Sequence, residues 1–230
     1  MKISRKDFVG RAAAALAAVA GAGSGAEGQL VYRHSDWKFA KFDQLLHSKA
    51  RVKQVFDATQ VNDGRFLNNI KNSLNGLQFG FEIPAAQLQM IAALHGPANT
   101  VNFNDSAWEK YRFGEVFKVM DPKTGKPAAR NVFYASKADR ASKDPNRGDS
   151  VYQDTSVEGL QGRGVKFLSC HSANEETAGR LIHELKLSVE RDELVKDLES
   201  RALPEVLLVP SMVAAIALLQ VDGHYAYAAV

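Results

Sequence analysis

The sequence has a single cysteine among its 230 residues, which excludes an intramolecular disulfide and any zinc or iron–sulfur site built from several thiolates. It also lacks a run of about 18 strongly apolar residues, so we expect no membrane span after removal of the N-terminal segment described below. The net charge is only +3 and 45% of the residues are hydrophobic, a composition that argues against a disordered chain. These absences leave a globular protein of one domain, with or without extensions.

Several catalytic sequence patterns are absent as well. There is no GxSxG, P-loop or GxGxxG pattern, so hydrolases, NTPases and dinucleotide-binding enzymes lose support. The glycine-rich stretch at residues 159–164 precedes a predicted strand instead of following one, and we interpret it as a turn. The histidines lack HxH, HExxH or HxxxH spacing, so a metal held by His95, His171 and His224 is only a remote alternative. We expect neither a metal nor an organic cofactor.

The N-terminus has the composition of a secretory signal peptide. A basic stretch, residues 1–11, leads into the alanine-rich residues 12–22, and Ala20-Gly21-Ala22 supplies a small-residue cleavage site. The sequence SRKDFV at residues 4–9 is similar to the twin-arginine export signal, with Lys6 in place of the second arginine. We predict a signal peptide over residues 1–22 and a periplasmic or otherwise exported product. The alternative is a short N-terminal helix or anchor.

Cleavage of this signal would change the charge of the protein. It would leave equal numbers of basic and acidic side chains, because the removed segment carries Lys2, Arg5, Lys6 and Arg11 against Asp7 alone. No basic patch then remains in the sequence to attract a phosphate backbone. We therefore expect no nucleic-acid partner.

Strand-like and helix-like segments alternate along the rest of the chain. Residues 23–49 predict an N-terminal arm, extended or with a short helix, and residues 50–230 predict the main domain. The predicted strands lie at residues 50–58, 88–94, 165–169, 205–209 and 225–230, and the predicted helices at residues 66–77, 172–187, 190–198 and 212–219. Such alternation is typical of an α/β sandwich with a mostly parallel sheet.

Residues 116–155 interrupt this pattern. They are rich in Lys, Asp, Pro and Gly and show no sustained periodicity, so we interpret them as an insertion. A structureless loop of this length is unusual in a compact domain, which suggests that the segment has a function or covers a neighbouring surface.

The predicted helix at Met212 to Leu219 is apolar on every side. Such a helix must be buried, either in the core or against another subunit. The sequence therefore predicts a homo-oligomer.

Three predicted strands end at polar or reactive residues. His95 follows the second strand, Cys170 and His171 follow the third, and Ser211 follows the fourth. Because the carboxyl ends of parallel strands share one edge of a sheet, and ligands bind beyond that edge, we expect these residues to lie together. The candidate catalytic residues are Cys170, His171 and His95.

Cys170 is the strongest candidate, because it lies just ahead of a predicted helix. Amide N–H groups and the helix dipole favour a thiolate there, and a protonated His171 would add to the effect. Glu175 and Glu176 oppose it, so we expect at most moderate activation. The alternative is a buried, inert cysteine. Ser172 and Glu175 form the pattern of a capping box at the start of this helix.

The candidate ligand-binding residues are Gly96, Ser172 and Ser211. Gly96 follows His95 and allows a close backbone approach, and Pro97 suits the start of a helix. The alternative for His95 is a structural histidine that is hydrogen-bonded at the end of its strand.

Several of these segments together resemble the DsrE/DsrF-like sulfur-relay family, in an exported form. The matching pieces are QVFDA (54–58), NNIKNSLNGL (68–77), MIAALHGPA (90–98), WEKYRFGE (108–115), GVKFLSCHSA (164–173) and LPEVLLVPSMVAAIALLQVDGHYAYA (203–228). The resemblance covers residues 50–230 apart from the insertion. It implies a flavodoxin-like three-layer sandwich and homotrimers or hexamers, and it implies that Cys170 carries a persulfide. Export and the insertion depart from the small cytoplasmic relay proteins.

Two hypotheses of different classes follow from the sequence. In the first, the protein binds or transfers sulfane sulfur through Cys170, with a sulfur donor or acceptor protein as partner. In the second, it is a non-catalytic small-ligand-binding or assembly module in which Cys170 is incidental. A third hypothesis is a redox partner whose cysteine forms a mixed disulfide.

Overall fold

A sheet of five parallel strands forms the centre of the computed structural model, which describes residues 31–139, 141–142 and 144–230. The strands of this sheet are β1 (Val52–Ala58), β2 (Leu88–Leu94), β5 (Lys166–Cys170), β6 (Leu207–Val209) and β7 (Ala226–Ala229), and a separate short antiparallel hairpin comprises β3 (Met120–Asp121) and β4 (Lys126–Pro127). The predicted signal peptide and residues 23–30 of the predicted arm lie outside the described residues.

Helices flank the sheet on both faces. The α-helices of the described residues are α1 (Phe39–Leu46), α2 (Arg65–Asn75), α3 (Asp105–Lys110), α4 (Phe113–Val116), α5 (Val157–Gly162), α6 (His171–Leu185), α7 (Arg191–Ser200) and α8 (Met212–Val221). Shorter helical turns lie at His34–Asp36, Asn62–Gly64, Gly76–Gly80, Ala85–Gln87 and Gly96–Asn102. The prediction of a three-layer α/β sandwich with a parallel sheet is confirmed.

The strand order is β6–β5–β2–β1–β7, and every neighbouring pair is parallel. The chain therefore adds strands to one side of β1 until β6, and then returns to place β7 on the other side. The three central strands are rich in apolar residues because both of their faces are covered. This order brings β5, β2 and β1 side by side.

Two hydrophobic cores lie on the two faces of the sheet. One lies under α2, α5, α6 and α7 and includes the fully buried Trp108 and Phe167. The other lies under α1 and α8 and includes Phe42, Ile91 and Leu168. Each large side chain buried in this way contributes about 1.5 to 3 kcal/mol of hydrophobic free energy.

The helix α1, which lies in the predicted arm, belongs to the second core. Helix α1 buries Phe42 and Leu45 against the sheet. The buried Tyr225 hydroxyl donates to the Leu45 carbonyl oxygen at 2.9 Å, which ties α1 to the segment before β7. Residues 39–46 are thus one of the covering layers of the domain.

Helix α8 is covered on one side only within a single chain. Met212, Ala215, Ile216 and Leu219 are buried, whereas Val213, Ala214, Ala217, Leu218 and Val221 are exposed. Of the two predicted alternatives, burial in the core therefore accounts for one side of α8 only, and burial of the other side against another subunit stays a prediction. The exposed residues of α8, with Val213 at 67% and Val221 at 70% exposure, form an apolar stripe.

The predicted insertion, residues 116–155, packs on the domain through buried polar contacts. The side-chain amide of Asn131 donates to the carbonyl oxygens of Val101 and Phe103 at 2.8 and 2.7 Å, and its oxygen accepts from the Phe133 amide. Gly114 lies so close to this segment that a Cβ there would be 2.2 Å from the Ala128 nitrogen. Side-chain contacts therefore hold this segment on the domain, although it has little regular secondary structure.

Two local predictions were wrong, one of them in part. Residues 159–162 of the glycine-rich stretch belong to α5, because Ser156 caps its N-terminus by accepting the Gly159 amide, and only Arg163 and Gly164 form the predicted turn. The predicted capping box of α6 does not form, since the helix starts one residue earlier, at His171. The Ser172 hydroxyl donates instead to the Pro210 carbonyl oxygen at 3.1 Å.

Within the described residues, no helix has the length and apolar character needed to cross a membrane.

Replacement of Asn131 by alanine tests how firmly the insertion is held. The Asn131→Ala variant loses three hydrogen bonds, two of them buried, and leaves two carbonyl oxygens without this donor, so we expect a loss of about 3 kcal/mol in the free energy of unfolding. Urea denaturation measures it. The control, Asn146→Ala in an exposed turn, should change stability by no more than about 0.5 kcal/mol. Equal stability of the two variants would contradict the anchoring role of Asn131.

Candidate functional site

The carboxyl ends of the parallel strands gather the predicted residues at one edge of the sheet. His95 directly follows β2, Cys170 ends β5, and Ser211 lies two residues beyond the end of β6. Since β6, β5 and β2 are neighbours, the predicted shared edge is confirmed at the level of the backbone. The side chains of Cys170 and His171, however, face opposite sides of the sheet.

The Cys170 side chain lies between the N-termini of two helices. It is the N-cap residue of α6, and its Sγ accepts the Met212 amide of α8 at 3.3 Å. The residue is 4% exposed and belongs to the core under α1 and α8. Its surroundings therefore combine apolar side chains with backbone N–H groups at the sulfur.

Burial outweighs these N–H groups in setting the charge of the thiol. Burial raises the pKa of the Cys170 thiol above its ordinary value, the amides of Ala173, Met212 and Ser172 offset part of this rise, and Glu176 adds to it. The sequence predicted at most moderate activation, and the raised pKa favours its alternative, a buried and less reactive cysteine. The reason is that the helix N-termini act on a sulfur from which water has been removed.

His171 faces the opposite side of the sheet from Cys170. Its Nδ1 is 2.7 Å from Oε1 of Glu199 on α7, and its ring stacks on Tyr32 at 4.2 Å between centroids. The expectation that His171 assists the thiol is thus not met, because successive residues leaving a strand point to opposite faces. Burial lowers the pKa of His171, but the hydrogen bond and charge of Glu199, with Glu175 and Asp192, outweigh it and leave the pKa raised.

His95 is held by a carboxylate on the neighbouring strand. Its Nε2 is 2.7 Å from Oδ1 of Asp57 on β1, and the Tyr227 hydroxyl of β7 donates to Oδ2 of the same carboxylate at 2.7 Å. His95 and Asp57 are about one-fifth exposed, and Tyr227 is about half exposed. This Tyr227–Asp57–His95 cluster therefore spans three adjacent strands and reaches solvent.

A buried amide network supports the backbone at Cys170 from the other face. The side-chain oxygen of Asn99 accepts from the Cys170 amide at 3.2 Å and from the Ser169 hydroxyl at 3.1 Å. Its nitrogen donates to Asn174, whose own amide nitrogen donates to Glu199. Asn99, Ser169 and Asn174 are almost fully buried, and we assign this network to positioning the strand end.

The three predicted ligand-binding residues have identifiable structural roles. Gly96 has φ of +54°, and a Cβ there would be 3.1 Å from the Thr59 carbonyl oxygen, so glycine is required by the close approach. Ser172 bonds to Pro210, as described above, and Ser211 is the N-cap residue of α8. Ser172 and Ser211 thus flank Cys170 at the start of the two helices.

Two cavities lie apart from Cys170 and His95. One, of about 500 Å³, lies between the start of α2 and the insertion, and its lining includes Asp63, Leu67, Phe133, Lys137 and Asp154. The other, of about 270 Å³, lies beside β6, and its lining includes Tyr32, Trp37, Lys38, Glu199 and Leu208. The insertion therefore forms the wall of a cavity of ligand size.

In the part of the chain that the structure describes, no group of three or more His, Cys, Asp or Glu side chains is arranged to hold a metal ion.

The protein was compared with family models, with curated proteins and with solved structures. None of the three comparisons found a match. The chemistry of this edge must therefore be inferred from its own residues.

Sequence reasoning missed Asp57, Tyr227 and Asn99. The sequence did contain a signal for Asp57, because it is a lone carboxylate next to the end of an apolar strand. A charged side chain is rarely buried at such a position without a partner. Tyr227 and Asn99 gave no comparable signal, because their role depends on strand order and on the path of the chain after β2.

The raised pKa of His171 predicts a pH-dependent contribution to stability. A folded-state value above the unfolded one stabilises the protein fully below about pH 6.5, and the contribution is lost as the pH rises through the folded value. The stability advantage of the wild type over His171→Gln should therefore be larger at pH 5.5 than at pH 8.5. These two pH values lie about one to two units below and above the ordinary pKa of histidine.

Urea denaturation at the two pH values measures this difference. The exposed His183→Gln variant is the control and should show a stability difference that does not depend on pH in this way. A wild-type advantage over His171→Gln that grows with increasing pH would contradict the assigned pairing with Glu199.

Proposed function

We propose that the protein is an exported DsrE-like protein that binds sulfane sulfur at Cys170 and passes it to an acceptor. The observation that carries this proposal is the placement of Sγ at the carboxyl edge of the sheet, where backbone amides from the starts of α6 and α8 converge on it. Such fixed N–H groups stabilise negative charge that develops on a buried atom.

The buried thiol suits storage of sulfur better than a permanently reactive thiolate would. A persulfide is more acidic than its parent thiol, so the loaded form carries the negative charge that the amides of Met212, Ser172 and Ala173 stabilise. The unloaded thiol stays protonated because burial raises its pKa. The difference in intrinsic acidity between the two sulfur species thus leaves the adduct charged and the free thiol neutral in the same surroundings.

Loading requires no external oxidant. The Cys170 sulfur attacks the outer sulfur of a persulfide, polysulfide or thiosulfate donor, and a new S–S bond forms. The S–S bond within the donor breaks, and its electron pair leaves with the thiolate or sulfite product. The thiol proton passes to a base and then to the leaving group or to solvent.

The burial of Cys170 is also consistent with export. Exposed thiols in an oxidising compartment are converted to disulfides or sulfenic acids. At 4% exposure, Cys170 is protected from large reagents and is open only to small donors, unless the start of α8 moves. A mixed disulfide with a protein partner, the third hypothesis, is disfavoured for the same reason.

A small-ligand-binding module is the second candidate function. It is favoured by the cavity of about 500 Å³ between α2 and the insertion, which combines Leu67 and Phe133 with the charged Asp63, Lys137 and Asp154. An apolar floor with a few polar groups is typical of a small-molecule site. In this case the sulfur of Cys170 would serve only to pack the core.

Intact-mass spectrometry separates the two candidates. After incubation with polysulfide or thiosulfate, the wild type should gain about 32 Da, the mass of one sulfur atom. The gain should disappear on treatment with dithiothreitol and should be absent from Cys170→Ala, which removes the only thiol. No adduct with any of these donors, in protein shown to be folded, would overturn the sulfur proposal and favour the binding module.

The exposed stripe on α8 supports the proposal of a homo-oligomer, a trimer or hexamer. Val213 and Val221 are large apolar side chains on the outside of the domain, and Leu218 lies between them. A second chain that covered this stripe would remove it from water, which is favourable for association.

Charged substitutions on the stripe should dissociate the oligomer. We expect the wild type to show a multiple of its chain mass by size-exclusion chromatography with light scattering, and the Val213→Asp/Val221→Asp variant to be a monomer, because burying these carboxylates is costly. Phe81→Asp, which changes an exposed aromatic residue outside α8, is the control and should keep the wild-type mass. A monomeric wild type at high micromolar concentration would contradict the proposal.

A further inference from the structure

Four neighbouring strands each bring one polar or reactive side chain to the same corner of the sheet. Cys170 lies on β5, His95 directly after β2, Asp57 on β1 and Tyr227 on β7, which are adjacent in that order. The contacts from Tyr227 to Asp57 and from Asp57 to His95 are direct hydrogen bonds. The relation of His95 to Cys170 follows from the strand register.

His95 and Cys170 come next after the last paired residues of their strands. The final pair of β2 with β5 is Leu94 with Ser169, and both following residues keep an extended backbone. Neighbouring strands are about 4.8 Å apart. The His95 amide also continues the ladder to β1 by donating to the Ala58 carbonyl oxygen at 3.1 Å. The two residues are therefore lateral neighbours.

Alternation along the strands places these side chains on one face. Val55, Ala93 and Leu168 all belong to the core under α1 and α8. Two residues further along the same strands come Asp57, His95 and Cys170, which therefore point to the same face. His171 points to the other face, towards Glu199.

We infer that His95 is the proton acceptor for Cys170, and that Asp57 and Tyr227 are positioning residues that hold its imidazole for this task. The inference rests on the proposed function and names the base that sulfur loading requires. It also selects between the two histidines of the edge, because only His95 shares a face with the sulfur.

The hydrogen bonds fix which ring nitrogen is free to accept the proton. An ionised Asp57 can only accept, so it holds the hydrogen of neutral His95 on Nε2 and leaves the lone pair on Nδ1. When Cys170 attacks, its proton moves to Nδ1, and the carboxylate of Asp57 stabilises the imidazolium. The same proton then passes to the departing thiolate or sulfite. The Tyr227 hydroxyl fixes the second carboxylate oxygen.

Alkylation of the only cysteine tests this arrangement without any sulfur donor. We expect iodoacetamide at pH 7.5 to label His95→Gln at least about tenfold more slowly than the wild type, Asp57→Asn about tenfold more slowly, and Tyr227→Phe about threefold more slowly. The pH profile of the rate should differ between the wild type and His95→Gln. In denaturant, all variants should react at one rate.

Two controls and one spectroscopic measurement separate positioning from a general loss of structure. The exposed His183→Gln and Asp222→Asn variants should label at the wild-type rate. Nitrogen-15 shifts of the His95 ring should show the Nε2–H tautomer in the wild type and a mixture of tautomers in folded Asp57→Asn. A wild-type tautomer, or a wild-type labelling rate, in Asp57→Asn would overturn the positioning role.

The outcomes also distinguish this inference from the proposed function. If no donor adds sulfur but the labelling rates depend on His95 and Asp57 as expected, the sulfur proposal fails and the acid–base assignment stands. If sulfur is loaded equally by the wild type, His95→Gln and Asp57→Asn, the proposed function stands and the assignment fails.

Discussion

The proposed function depends on the balance between burial and backbone hydrogen bonding at one sulfur atom, Sγ of Cys170. Cys170 lies where β5 ends and α6 begins, and the start of α8 closes over it, so that the Met212 amide points at Sγ. Removal of water favours the neutral thiol, while the amides favour a charged sulfur. Because burial is the larger effect for the free thiol, the site keeps it uncharged. A more acidic sulfur species in the same place would be charged and hydrogen-bonded.

The parallel sheet is what makes a composite site possible at this edge. Strands β5, β2, β1 and β7 come from distant parts of the sequence, yet their carboxyl ends lie side by side. Short side-chain contacts then join neighbouring strands, as between Asp57 and His95 at 2.7 Å. On the opposite face of the sheet, the side-chain oxygen of the buried Asn99 accepts a hydrogen bond from the Cys170 amide. This hydrogen bond positions the backbone that carries the thiol. The site therefore depends on strand register more than on any single loop.

The sequence predicted the layers of the α/β sandwich and the residues at the carboxyl edge of its sheet. It did not predict which way the side chains at this edge point. The strand Leu88–Leu94 was predicted with its observed bounds, because a short apolar run between turn signals has few alternatives. His95, Cys170 and Ser211 were correctly placed at one edge for the same reason. The environment of His171 could not be predicted, since Glu199 lies on a helix whose packing depends on the tertiary fold. Asp57 and Tyr227 required the strand order, which no local pattern specifies.

Direct titration of the sulfur is the most direct test of the central claim. Ultraviolet absorbance of the thiolate, with Cys170→Ala subtracted to remove the tyrosines, follows the only cysteine of the chain as the pH rises. The account predicts that the free thiol titrates above its ordinary value of 9.0 and that the sulfur-loaded protein already carries its charged adduct at neutral pH. A free thiol that titrates below this value, or a loaded form no more acidic than the free thiol, would contradict it.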